Sequence, residues 1–139
     1  MNLNQFFTSL MVWLYQVSHG RLMGRMMGFN VLLLHTTGRK SGKARVTPLG
    51  YFLQDGGYLL VASNAGRPKN PAWYYNLMSS PHTKIEIMDK TIPVTAEELS
   101  GEARARSWQQ VIAAAPNYAR YEKSTTRQIP VVFLRPEGG

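Results

Sequence analysis

Four cations stand within one glycine-flanked stretch, TTGRKSGKARVTPLGY (residues 36–51): Arg39, Lys40, Lys43 and Arg45. A turn of this composition does one kind of chemistry well, which is to hold an anion. Successive backbone N–H groups in a glycine-rich turn make a concave donor surface. Arg and Lys side chains add charge-assisted hydrogen bonds, and a phosphate suits both. A solvated hairpin tip has the same composition, because runs of charge usually face water. A nucleotidase P-loop is excluded. Gly38 to Gly42 is one residue too short, Ala44 replaces the Ser/Thr, and Pro48 bars the helix that must follow.

A second cluster is SNAGRPKNPAWYYN (63–76). Gly66 and Pro68 fix a loop, Ser63 and Asn64 offer polar groups at a strand end, and Trp73 and Tyr74 open a helix whose N-terminus favours anions. A planar ring lying on apolar strand residues beside such an edge is a workable ligand geometry. Trp73 taken alone reads first as a core anchor. A third cluster is PNYARYEKSTTRQIP (116–130), where Tyr118 and Tyr121 share a helical face. A phenol there can orient a carbonyl or give a proton. A pair of half-buried structural tyrosines is the alternative.

Strands must position these clusters. VLLLHTT (31–37) reads as a buried strand and ARVTPLGYFL (44–53) as a strand with Pro48 at an edge or bulge. Asp55-Gly56-Gly57 predicts a hairpin into YLLVAS (58–63), giving an antiparallel meander. A short helix follows, with Asn70 as cap and Pro71 in its first turn. KIEIM (84–88), a turn at Asp89-Lys90 and TIPVTAEEL (91–99), with Pro93 again at an edge, predict two more strands. Residues 101–115 predict a helix stopped by Pro116. Residues 117–128 read as a short helix or loop, and IPVVFLRP (129–136) as the last strand. Strands outnumber helices and no βαβ unit repeats. The expected fold is mainly β (α+β), a small antiparallel barrel with peripheral helices.

The chain has 139 residues, one domain's worth, with 44% hydrophobic and 17% charged residues. Lys+Arg number 16 against 8 Asp+Glu, a net charge of +8, which favours anionic partners. Six cations precede the first acid, Asp55, so the anion-attracting part lies in the N-terminal third. There is no cysteine, which excludes disulfides and zinc-thiolate sites and permits a reducing cytoplasm. His19, His35 and His82 show no ligand spacing, so no metal is expected.

Three ordered segments, LLLHTTGRKSGKARVTPLGY, NPAWYYNL and IPVVFLRP, resemble the deazaflavin (coenzyme F420)-dependent nitroreductase family over about Val31 to Pro136. The resemblance implies a split β-barrel like that of the pyridoxamine-phosphate oxidases. It also implies hydride transfer from reduced deazaflavin to a planar acceptor such as a quinone, an enone or a nitroaromatic. FMN is the alternative cofactor, and a non-catalytic carrier of deazaflavin, flavin, haem or a lipid-like ligand the alternative function. By similarity, Arg39, Lys40 and Ser41 meet the cofactor's phosphate and glutamyl tail. Arg45, Val46, Thr47, Pro48, Leu49 and Gly50 run beside the tail and ring. Val61, Ala62, Ser63 and Asn64 form the strand end near the ring, and Ala72, Trp73, Tyr74, Tyr75 and Asn76 complete the pocket. Tyr118 stands beside ring and substrate, with Ser63 facing the substrate; these two are the implied catalytic groups. Tyr121 flanks the substrate pocket. Ala115 occupies the place of a pocket tyrosine in the nitroimidazole-activating member, which bears on acceptor choice.

The strong match leaves out residues 1–28, an amphipathic helix and connector with Gly20, Gly24 and Gly28 as breakers, ahead of the barrel domain at 29–139. Leu3, Phe6, Phe7, Leu10, Leu14 and Val17 fall on one helical face. That face can cover the core or a dimer partner. It can also lie on an anionic membrane, with Arg21 and Arg25 at the lipid phosphates. The expected setting is the cytoplasm, or the inner face of the cell membrane, for a monomer or homodimer with a small-molecule acceptor. Nucleic acid is not an expected partner, since the aromatics sit in apolar context and no RNA-binding signature appears.

Overall fold

The computed structural model describes residues 8–13, 16 and 30–137. Six antiparallel strands close into a barrel. They are β1 (Asn30–Thr37), β2 (Ala44–Gln54), β3 (Gly57–Val61), β4 (His82–Ile87), β5 (Lys90–Glu98) and β6 (Val131–Pro136), ordered β1-β2-β3-β6-β5-β4. Helices α1 (Ala72–Ser79), α2 (Gly101–Ala114) and α3 (Asn117–Lys123) flank the barrel, and a 3-10 turn covers Asn64–Gly66. The expected barrel with peripheral helices, and the β1–β2–β3 meander within it, are what the chain forms.

Alternation along the strands builds two cores, since successive side chains take opposite faces. Leu32, Leu34, Leu60, Ile85, Val94, Val132 and Leu134 fill the barrel interior, and α1 plugs one end with Trp73 and Leu77. Their outward neighbours Leu59 and Val131 pack under Trp108 and Val111 of α2, with Ile129. This is why β1 reads as a continuous apolar run. Val31 and Leu33 are buried on its outer face, where Val12 of the N-terminal helical stretch 8–13 packs against them.

The ladders are uneven, and the barrel opens where they stop. β2 pairs with β1 from Asn30↔Tyr51 to Thr37↔Ala44, but with β3 only over Phe52↔Leu59 to Gln54↔Gly57. Residues 44–51 of β2 therefore have one ladder neighbour, and Pro48, which has no N–H to offer a second, sits where none is needed. β1 and β4 pair only at Leu33↔Glu86 and Leu34↔Ile85, so that side opens too.

Pro93 stands on the same footing as Pro48: it pairs with Lys84 of β4 and lies just past the last β5–β6 pair, Val94↔Pro136, where its carbonyl accepts the Glu137 N–H at 2.9 Å. Several local expectations are corrected. Asn70 does not cap α1: Pro71 holds that position, and Asn70 Oδ1 instead accepts from Arg127 at 2.6 Å. The β4–β5 turn falls at Met88-Asp89, one residue earlier than expected, with Met88 at φ 56°. β3 ends at Val61 and β6 starts at Val131, leaving Ala62, Ser63, Ile129 and Pro130 as buried connecting chain. Of the apolar N-terminal positions, Leu10 is described and is exposed. Leu3, Phe6, Phe7, Leu14 and Val17, with Arg21, Arg25 and the three glycine breakers, lie outside the described residues. No described helix is long and apolar enough to cross a membrane.

Candidate active site

The basic turn is held from within. Gly38 N–H donates to the Lys43 carbonyl and Gly42 N–H to the Gly38 carbonyl, both at 2.8 Å, while Ser41 Oγ accepts from Lys43 N–H at 3.2 Å. A Cβ on Gly38 would stand 2.5 Å from Ser41 Oγ, so a larger residue there would push the Ser41 hydroxyl off the Lys43 N–H. The turn is docked on α1. Arg39 N–H donates to Asn76 Oδ1 at 3.0 Å, and the Arg39 guanidinium lies 4.7 Å from the Tyr75 ring centroid. Among the described residues, none of Arg39, Lys40, Lys43 and Arg45 has an acidic partner. Arg39, Lys40, Ser41, Arg45, Val46 and Thr47 line a cavity of about 1100 Å³, closed opposite by Ala72, Trp73, Tyr75 and Asn76.

A second cavity of about 340 Å³ occupies the β2–β3 split. Leu49 and Gly50 flank it from β2, and Val61, Ser63 and Asn64 from the end of β3. Thr47 and Trp73 line both spaces, so the two lie side by side. Tyr118 reaches this cavity from α3. Its ring meets Phe52 edge-on at 6.0 Å and Tyr121 at 5.7 Å. Burial, and secondarily the Tyr121 phenol, raises the Tyr118 pKa above the ordinary tyrosine value. The phenol is therefore a neutral donor throughout the physiological range. Ser63 is buried and lines the same cavity.

The structure thus brings together residues 39–41, 45–47, 49–50, 61, 63–64, 72–73, 75–76 and 118 from five separate stretches. Five of the expected site residues line neither cavity. Ala62 is fully buried in the barrel core, and Pro48 is half-buried in β2. Tyr74 turns its hydroxyl to Glu98. Ala115 is 2% exposed at the C-terminal end of α2, so in this chain the position is core packing. Tyr121 touches the site only through the Tyr118 ring.

Two arginines were not singled out from the sequence. Arg67 lines the split cavity. Arg127 straps the loop that carries Ser63. It donates from Nη2 to the Ser63 carbonyl at 2.7 Å, from Nε to the Arg67 carbonyl at 3.0 Å, and from Nη1 to the Ala62 carbonyl and Asn70 Oδ1 at 3.3 and 2.6 Å. Its partners lie about sixty residues away in the chain, and nothing in TTRQIP marks it. Its side of the strap follows from α3, whose Tyr121 and Ser124 abut Gly66.

A six-stranded split barrel with a cationic turn on one cavity and a neutral phenol on the neighbouring one defines a barrel protein suited to an anionic ligand. The chain belongs to the F420H(2)-dependent quinone reductase family, whose model matches residues 8–136. It is 40% identical over 125 residues to an F420H(2)-dependent quinone reductase of Mycobacterium tuberculosis, covering 87% of this chain and 84% of that one. The solved structure of an F420-H2 dependent reductase (FDR-A) superposes with a TM-score of 0.69 at 42% identity, covering 76% of this chain and 93% of the other. A structure described as a domain-swapped dimer does so at 0.69 and 37% identity, covering 89% and 98%. A Listeria innocua protein of the pyridoxamine 5′-phosphate oxidase type shares the fold alone, at 11% identity and a TM-score of 0.53 over 86% of this chain and 93% of that one. The deazaflavin dependence that the sequence resemblance implied is thus a property of the family, and the family description names quinones, not nitro compounds, as acceptors.

Proposed function

We propose that this chain is a coenzyme F420-dependent oxidoreductase that reduces a planar acceptor of the quinone class. The observation that carries the reading is the row of cations, without acidic partners among the described residues, along a cavity that adjoins the β2–β3 split. A ligand with a phosphodiester and several carboxylates satisfies those charges, and FMN, with its single phosphate, satisfies fewer. Arg39, Lys40 and Arg45 hold the phosphate and tail, with the Ser41 hydroxyl proton free to donate. Thr47, Leu49, Gly50, Val61 and Asn64 flank the ring, and Trp73 walls the passage between ring and tail. The bound coenzyme supplies a hydride. The chain's own part is to orient the acceptor and manage a proton. The Tyr118 phenol, held neutral by burial, donates to the acceptor oxygen that gains negative charge, and Ser63 is the second hydrogen-bonding group at that end.

The test is titration with reduced and oxidised coenzyme, followed by turnover against quinones, enones and nitroaromatics. Lys40→Ala and Arg45→Ala each weaken coenzyme binding by about 1–3 kcal/mol, less at high salt. Coenzyme binding with no turnover across the acceptor panel would instead make the chain a carrier. Unchanged affinity in both variants would remove the turn from the site. The reading places the enzyme in the cytoplasm, facing membrane quinones. Exposed Leu10 and Trp13, the latter lining the larger cavity, support contact with lipid, and failure to co-sediment with anionic vesicles would end that part. A homodimer is proposed from the likeness to the domain-swapped structure, and solution mass decides it.

A further inference from the structure

Among the described residues, Arg67 is the one charged residue that lines the β2–β3 split cavity. It is exposed and forms no ion pair among them. Arg127 stands behind the same loop, with its guanidinium bonded to the Arg67 and Ser63 carbonyls at 3.0 and 2.7 Å. Both acceptors are neutral, and Arg127 also has no acidic partner among the described residues. Two cations whose charge nothing here offsets therefore meet at the cavity that Tyr118 and Ser63 line.

The backbone that delivers Arg67 is strained. Asn64, Ala65 and Gly66 hold successive φ of 49°, 56° and 76°. Left-handed backbone is open to Gly66 but disfavoured at Ala65, whose Cβ crowds the following carbonyl. The turn is held in this shape at its exit. Arg67 N–H donates to the Asn64 carbonyl at 3.1 Å, and the Arg67 carbonyl takes the Arg127 Nε bond. Strain of this kind persists where surrounding structure enforces it, and it collects where a functional group has to be placed. Here the residue it places is a cation on the cavity wall.

We propose that Arg67 stabilises the oxyanion that forms when the acceptor is reduced in this cavity. The proposal rests on the reductase reading and adds the group that offsets the product's charge. A neutral quinone takes a hydride, two electrons with one proton, from the reduced coenzyme, which is left oxidised. The acceptor thereby becomes an anion with its charge on oxygen, and a second proton from solvent completes the dihydroxy product. The other polar groups lining the cavity are neutral: Tyr118, Ser63, Asn64 and Thr47. They can hydrogen-bond an oxyanion, but they cannot balance its charge. A guanidinium does both, and its interaction is stronger with the anion than with the neutral quinone, which is the difference that accelerates a reaction.

The experiment uses Arg67→Gln and Arg67→Lys. The glutamine variant keeps both backbone bonds and alters an exposed side chain, so its melting temperature stays level. Its kcat with a quinone falls roughly tenfold, below the usual loss for an oxyanion donor because Arg67 is exposed. The deficit narrows at high salt, and the lysine variant recovers most of the rate. A second readout needs no turnover. Calorimetry on protein loaded with oxidised coenzyme compares a ring-fluorinated phenol, ionised at the assay pH, with its uncharged methyl ether. The unaltered protein binds the phenolate more tightly, and Arg67→Gln loses roughly three- to tenfold of that preference while binding the ether equally well. A wild-type kcat in Arg67→Gln, or no preference for the phenolate in the unaltered protein, overturns the proposal and leaves the reductase reading intact. Weakened coenzyme binding in Arg67→Gln also overturns it, by assigning the cation to the coenzyme. Failure of the unaltered protein to reduce any quinone overturns both.

Discussion

Arg127 gives its whole guanidinium to neutral acceptors, three carbonyls and one amide oxygen, all in the loop from Ala62 to Asn70. A planar fork with five donors can do this and an ammonium cannot. Arg127→Lys therefore behaves much like Arg127→Ala. Both speed hydrogen exchange of the amides at 62–70 and lower kcat/KM, with a stability loss of about 1–3 kcal/mol. Full activity in the lysine variant would show that charge alone suffices. Tyr118 packs its ring against Phe52 and Tyr121 and lines the split cavity. Tyr118→Phe keeps the contacts with Phe52 and Tyr121 and leaves coenzyme affinity unchanged. It lowers kcat/KM by roughly tenfold if the hydroxyl contributes one hydrogen bond in the transition state. Stopped-flow oxidation of the reduced coenzyme reads this directly, and a wild-type rate with every acceptor would reduce Tyr118 to a wall.

At the scale of elements, the site depends on α3 sitting against the 3-10 turn. Gly66 has φ +76°, and a Cβ there would stand 2.3 Å from Ser124 Oγ and 3.2 Å from the Tyr121 carbonyl. Two penalties add: a left-handed backbone that side chains disfavour, and a collision with α3. Gly66→Ala therefore destabilises by about 1–3 kcal/mol in urea unfolding and separates Tyr118 from Ser63, so activity falls further than stability alone accounts for. Equal losses of stability and activity would show that the turn does not set the Tyr118 position. The helix α1 has a double duty at the same scale. Trp73 plugs the barrel and lines both cavities, so the anion site and the hydrophobic core share one side chain.

Over the whole molecule, tyrosine ionisation sets the alkaline limit. Burial raises Tyr51 and Tyr118 above the ordinary value, and burial together with the bond to Glu98 takes Tyr74 to about 12. Each keeps its proton in the folded state at pH values where the unfolded chain, titrating near ~10, has lost it. The unfolded state then binds fewer protons, so stability falls as pH rises from about 10 towards 12, and these groups leave it untouched below that window. Urea midpoints across the range check the sign. Tyr74→Phe flattens part of the fall, and an unchanged slope would show that the Tyr74–Glu98 bond does not form in solution.

The sequence by itself determined the strands, their order along the chain and the anion-binding turn, because each rests on local signals. Alternation and glycine turns mark the strands, and the cations of residues 39–45 are adjacent in the chain. Pro48 even marked the length of β2 that has only one neighbour. Local signals failed where ladder length and loop reach decide. Ala115 and Tyr74 lie next to or among the site motifs yet face the core and Glu98. Where two strands part cannot be read from either strand, since it depends on how far each continues after closing the barrel. Tertiary structure alone decided the adjacency of the basic-turn cavity to the β2–β3 split and the strap formed by Arg127, because each joins residues that are remote in sequence and meet only when the barrel closes.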